Sequence, residues 1–198
     1  MTQTPEWPVE LRGVTESVVA TLGPNGLWNM AALGLHAPDE PGEPVEATTW
    51  GNTRTKRNFH RQSGGVVQFT ADPREFVDSA MTIHEQSESV LPNAEAWVEV
   101  EVESVDTGVD GGTEWERWEL TPTEPGTVER SRPLTINRGF YAVIDATVAA
   151  SRLDVPVFET EELLDRMAYF AETVEKCGGP REREAFERLS EYSGWREY

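Results

Sequence analysis

Residues 96–106, Ala-Trp-Val-Glu-Val-Glu-Val-Glu-Ser-Val-Asp, constrain the fold more than any other stretch of the chain. Val98, Val100 and Val102 recur at a period of two, and Glu99, Glu101 and Glu103 take the alternate positions. A helix would scatter these residues around its circumference, whereas a strand sends them to opposite faces. The stretch is therefore a half-buried antiparallel strand with one apolar face. Such a strand needs partners. Residues 107–113 supply a glycine-rich turn, and residues 114–122, Glu-Trp-Glu-Arg-Trp-Glu-Leu-Thr-Pro, run back as the second arm of a hairpin. The acids at Asp106 and Asp110 lack the spacing of a calcium loop, which leaves the turn reading.

The rest of the first two-thirds follows the same logic. Val14–Leu22 and Leu27–Leu35 form a hairpin around Gly23-Pro24-Asn25-Gly26. After a loop rich in proline and glycine, residues 45–50 make a third strand. The polar run 53–62 makes a short helix, and residues 64–72 a further strand. Asp72 and Pro73 open another helix, as cap and first residue. Beyond residue 137 the apolar period becomes helical. Phe140, Val143, Ile144, Thr147 and Val148 share one face. Thr160 is expected to cap a second helix that presents Leu163, Leu164, Met167, Phe170 and Val174. Gly178-Gly179-Pro180 then ends it and starts a third. The expectation is a mainly β protein with added α: a barrel or sandwich of six or seven strands over 1–134, and a helical C-terminal subdomain over 135–198.

Charge excludes several function classes. Thirty-six acidic residues face 17 lysines and arginines, for a net charge of −19 across 198 residues. A protein that grips nucleic acid through its backbone needs a basic face, and an anionic membrane repels this one. No nucleic-acid or membrane partner is expected. Dense carboxylates keep a chain hydrated, and salt screens their repulsion, a balance suited to a salt-accumulating, halophilic cell. One cysteine, Cys177, rules out an intrachain disulfide, and there is no Cys/His cluster for zinc. The N-terminus lacks a basic start with an apolar run, and no stretch of about 18 apolar residues exists to span a bilayer. The chain is expected to be cytoplasmic.

Against this acidic background Trp50–Gln62, Trp-Gly-Asn-Thr-Arg-Thr-Lys-Arg-Asn-Phe-His-Arg-Gln, stands out. It gathers Arg54, Lys56, Arg57, His60 and Arg61, and Lys56 is one of only two lysines. A helix beginning near Asn52 or Thr53 points unpaired amides and a positive dipole end at whatever lies before it. Thr53 and Thr55 add hydroxyls, Arg54 adds a fork for phosphate oxygens, and Asn58 shares the face of Thr55. Two readings stand: a capped helix with a solvated basic face, or an anion site. It is neither a Walker loop nor a dinucleotide fingerprint.

The segment Asn29–Gly34, Asn-Met-Ala-Ala-Leu-Gly, followed by a strand and by Gly-Asn-Thr-Arg-Thr-Lys-Arg-Asn, resembles the flavin-reductase-like, FMN-binding split-barrel superfamily. There a Gly-Ser-x-Thr-x-x-Asn element after the third strand holds the FMN phosphate. Asn52 stands in place of its serine. The order of Glu16–Gly23, Gln68–Ala80 and Asn137–Leu153 further resembles the archaeal DUF447 family, with Asp145 and Ser151-Arg152 departing from its pattern. That resemblance implies FMN as cofactor in a split β-barrel, usually a homodimer. It places the FMN phosphate at Asn52, Thr53, Arg54, Thr55 and Asn58. Asn29 and Ala31 would lie along the flavin, with Asn29 either a ring contact or a barrel-rim side chain. Trp50 would stack on the ring or sit in the core. Asn137 and Arg138 would cap a helix or reach toward the ligand.

Three function classes remain. The first is an FMN-dependent oxidoreductase that takes hydride from a reduced nicotinamide or another electron donor; the flavin supplies the redox chemistry. The second is a non-enzymatic FMN carrier or sensor. The third is a ligand-free interaction module. His36, His60 and His84 form no triad with a serine, so no catalytic side chain is assigned, and no metal ligands are.

Overall fold

The computed structural model describes residues 6–9, 11, 14–38, 43–129 and 138–198. They belong to two compact units. The first holds β1 (Val14–Leu22), β2 (Trp28–His36), β3 (Val45–Trp50), α1 (Arg54–Gln62) and β4 (Gly64–Thr70). The second holds α2 (Pro73–Met81), after which the chain returns to the first unit with β5 (His84–Gln86), β6 (Ala94–Asp110), β7 (Thr113–Pro122) and β8 (Thr127–Val128). The second unit is completed by α3 (Arg138–Ala150), α4 (Thr160–Cys177) and α5 (Pro180–Ser193). Helix α2, which the sequence reading left within 1–134, therefore belongs with the C-terminal helices. The expected boundary near residue 134 falls outside the described residues. Among the described residues no helix is long and apolar enough to cross a membrane.

The strands of the first unit close on themselves. The order β1-β4-β6-β7-β3-β2 returns to β1, giving a six-stranded antiparallel barrel; β5 adds to β2 and β8 to β6. The opening hairpin forms as expected, with β2 beginning at Trp28, opposite Leu22. The β6–β7 hairpin is longer than expected. Residues 107–110 continue the strand, and the turn shrinks to Gly111-Gly112, with φ of 54° and 82°. Two successive left-handed residues are what a two-residue hairpin connection requires, and glycine takes that backbone at least cost.

The period of two is realised in the packing. Val98, Val100 and Val102 are buried with Val19, Leu33, Leu35, Val67, Trp118 and Leu120, while Glu99, Glu101 and Glu103 are exposed. Phe59 of α1 enters the same core. In the second unit Val77 of α2 packs with Val143, Ala146, Leu163, Met167, Phe186 and Leu189. Arg188 reaches Asp78 at 2.5 Å, and Arg74 reaches Glu184 at 3.1 Å, tying α2 to α5. Asp72 caps α2 as expected, accepting the Arg74 amide. Burial raises its carboxyl, but the bonds from Arg74 win and hold it below the usual range. Thr160 is not the cap of α4. Glu159 occupies that position without a side-chain cap bond, and Thr160 is the first helical residue.

Candidate functional site

Between β3 and α1 the chain turns at Gly51, whose φ is +69°. A Cβ there would meet nothing within 4 Å, so the backbone conformation calls for glycine, not lack of room. The next extended residue before the helix is Thr53, and it caps α1: its Oγ1 accepts the Lys56 amide at 3.1 Å. Of the two starts expected for this helix, near Asn52 or Thr53, it is the second that forms. Asn52 instead accepts the Arg57 guanidinium, at 2.8 Å on its carbonyl and 2.9 Å on Oδ1. Helix N-termini leave their first amides without intrahelical acceptors, and Thr53 takes only one of them.

Thr55, in the first turn, is 5% exposed. Its hydroxyl makes no hydrogen bond to any described residue. Beside it, Arg54 donates to Glu85 Oε1 at 2.8 Å, and Glu85 Oε2 takes Asn25 Nδ2 at 3.3 Å. Asn58 is buried and committed. Its amide donates to Thr21 Oγ1 at 2.9 Å and its Oδ1 accepts Arg61 at 2.8 Å. Arg61 also donates to the Leu22 carbonyl. Asn58 and Arg61 thus bolt α1 to the end of β1.

The remaining cations converge on one buried carboxylate. Glu116 of β7 is 3% exposed. Lys56 Nζ lies 3.3 Å and His60 Nε2 3.0 Å from its Oε2, and Ser104 of β6 donates to Oε1 at 2.6 Å. Burial pushes the Glu116 carboxyl up, but the bonds from Ser104, His60 and Lys56 outweigh it and hold it below the usual carboxylate range. The Phe59 and His60 rings meet Trp118 edge-on at 5.1 and 5.0 Å, and Trp118 Nε1 donates to Thr49 Oγ1. The basic stretch is thus not a free solvated face. Most of its charge fastens the helix to the barrel.

The other candidates divide. Asn29 is buried in β2, opposite Thr21 on one side and Glu85 on the other, which brings it into the same neighbourhood as Arg54. Ala31 packs against the barrel core. Trp50 is 51% exposed at the end of β3, opposite Trp115. Asn137 lies outside the described residues. Arg138 opens α3, and its side chain is not among those described. Sequence reasoning missed Glu85, Ser104 and Glu116. For Glu116 a signal existed: in β7 it alternates with Trp118 and Leu120, so it points inward with them. Elsewhere on the barrel, an open groove of about 630 Å3 is lined by Gln62, Ser63, Glu99, Glu101, Glu103 and Glu119 among others. Its carboxylates do not suit an anion, and none of the candidate residues borders it. Among the described residues no group of His, Cys, Asp and Glu is placed to hold a metal.

Family comparison meets this geometry directly. The model of the N-terminal domain of DUF447, proteins of unknown function, matches residues 15–129, and that of the C-terminal domain matches 137–191. The chain belongs to the DUF447 family. Among solved structures this DUF447 chain is similar to an FMN-bound family member from Methanosarcina mazei. The two are 24% identical, the match covers 92% of this chain and 96% of that one, and the TM-score is 0.75. The shared fold is the split barrel with a helical C-terminal part. A flavoredoxin from Methanosarcina acetivorans matches at 10% identity over 65% of this chain and 79% of that one, with a TM-score of 0.41. A flavin reductase complexed with NADP+ matches at 15% over 61% and 81%, with a TM-score of 0.37.

Proposed function

We propose that this DUF447 chain is an FMN-binding flavoprotein whose α1 N-terminus takes the FMN phosphate. The observation that carries the reading is Thr55: a largely buried residue in the first turn of a helix, next to an arginine, whose hydroxyl bonds to no described residue. A hydroxyl left open at a helix N-terminus, beside a guanidinium, is placed to donate to a phosphate oxygen. The donor set fits the group. Arg54, the Thr53 and Thr55 hydroxyls and the first-turn amides would hold the phosphate. Asn58 would act through Thr21 and Arg61, keeping the helix in place. The FMN in the Methanosarcina mazei relative supports the choice of flavin.

Bound FMN supplies hydride and electron transfer. The protein binds and orients it, and no side chain is assigned as acid or base. The reaction proposed is that of a flavin-reductase-like oxidoreductase, with a reduced nicotinamide as donor. Steady oxidation of that donor by the FMN-loaded protein selects an enzyme; flavin binding without turnover selects a carrier or sensor. The binding claim is tested by the Arg54→Ala, Thr55→Ala double variant, titrated with FMN by fluorescence quenching. Each lost bond costs about 1–3 kcal/mol, so affinity should fall at least about tenfold. Unchanged affinity would place the phosphate elsewhere.

A further inference from the structure

We infer that Glu85 is a built-in competitor for the ligand phosphate, keeping the bound flavin exchangeable. The inference rests on the placement of that phosphate at Arg54. β5, which carries Glu85, is only three residues long and pairs with β2 so that Glu85 stands opposite Asn29. From there its carboxylate reaches across to α1 and takes the Arg54 guanidinium at 2.8 Å, while Asn25 of the β1–β2 turn steadies its other oxygen. Arg54 is the only cation of α1 whose described side-chain partner is a carboxylate outside the Glu116 cluster. Lys56, His60 and Arg61 hold the helix to the barrel, and Arg57 bonds Asn52 in the preceding turn.

A phosphate arriving at Arg54 must either displace Glu85 or share the guanidinium with it. Displacement breaks an existing ion pair; sharing sets two anions against each other across one cation. The pair is open to exchange, because the Arg54 side chain is 40% exposed and that of Glu85 22%, and ion pairs so exposed to water are weak. A phosphate monoester, with more charge and more acceptor oxygens than a carboxylate, can win that contest, but at reduced net affinity. The isoalloxazine ring carries no such charge, so the contest acts on the phosphate alone.

The test uses flavin-free full-length protein, as wild type, Glu85→Gln and Glu85→Ala, titrated with FMN and with riboflavin. The expected result is FMN binding about five- to tenfold tighter in both variants, with riboflavin binding unchanged. FMN affinity that is unchanged or weakened in both variants overturns the inference and makes Glu85 a support for Arg54. A wild type that binds FMN no more tightly than riboflavin overturns the phosphate placement itself, and the inference with it.

Discussion

Glu116 answers the question posed by one of the two lysines in an acidic chain. A buried carboxylate is costly unless paired and hydrogen-bonded, and Lys56, His60 and Ser104 meet that need from two neighbouring elements. Removing its charge by Glu116→Gln should lower stability near neutral pH by roughly 1–3 kcal/mol, less than for a fully buried pair because His60 is half-exposed. The sign with pH follows from the depressed carboxyl. A group whose folded-state pKa lies below its unfolded value stabilises above the unfolded value, and that contribution is lost as pH falls through the folded one. The difference in melting temperature between wild type and variant should therefore be full at neutral pH and shrink below about pH 4.3, the unfolded glutamate value. Thermal melts from pH 7 to 3 measure it, and a difference that stays constant would show that the charge of Glu116 does not matter. In the sequence, the inward direction of Glu116 could be read from its alternation with Trp118 and Leu120. Its partners could not: Lys56 and His60 meet it only when α1 packs against the barrel, and Ser104 only through the register shift within the β6–β7 hairpin.

At the scale of elements, the legible parts were those whose stability is local or periodic. β6 announces itself by alternation, the first hairpin by Gly23-Pro24-Asn25-Gly26, and α2 by Asp72-Pro73. β5 and β8, three and two residues long, have no period to detect; they exist because β2 and β6 offer them an edge. In the β6–β7 hairpin, residues 107–110 are polar and look like turn in the sequence alone. Pairing with β7 extends them, and only Gly111-Gly112 has the left-handed backbone. The grouping of α2 with α3–α5 rests on contacts over long sequence separations, such as Arg188 with Asp78. Local pattern carries none of that. Within the candidate site, the helix start and the donors of Thr53, Arg54 and Thr55 were legible, while Glu85 sits on the strand that sequence could not see.

For the whole molecule, charge sets the conditions. With a net −19, repulsion between carboxylates reaches across the surface once the Debye length grows from about 3 Å at 1 M salt to about 10 Å at 0.1 M. The melting temperature should fall steadily as salt is removed, and a flat series would dissociate the composition from stability. A second copy seated on Glu99, Glu101 and Glu103 would add like charges across an interface, which costs several kcal/mol. A dimer built on that face would therefore come apart in the same series, and light scattering reports its mass. The proposed site holds FMN by its phosphate at the head of α1. The most direct measurement is titration of flavin-free wild-type protein, in high salt, with FMN and riboflavin in parallel. With the phosphate held there, one FMN binds saturably per chain, at least about tenfold tighter than riboflavin. Equal affinity for the two, or no saturable binding of FMN, would contradict it.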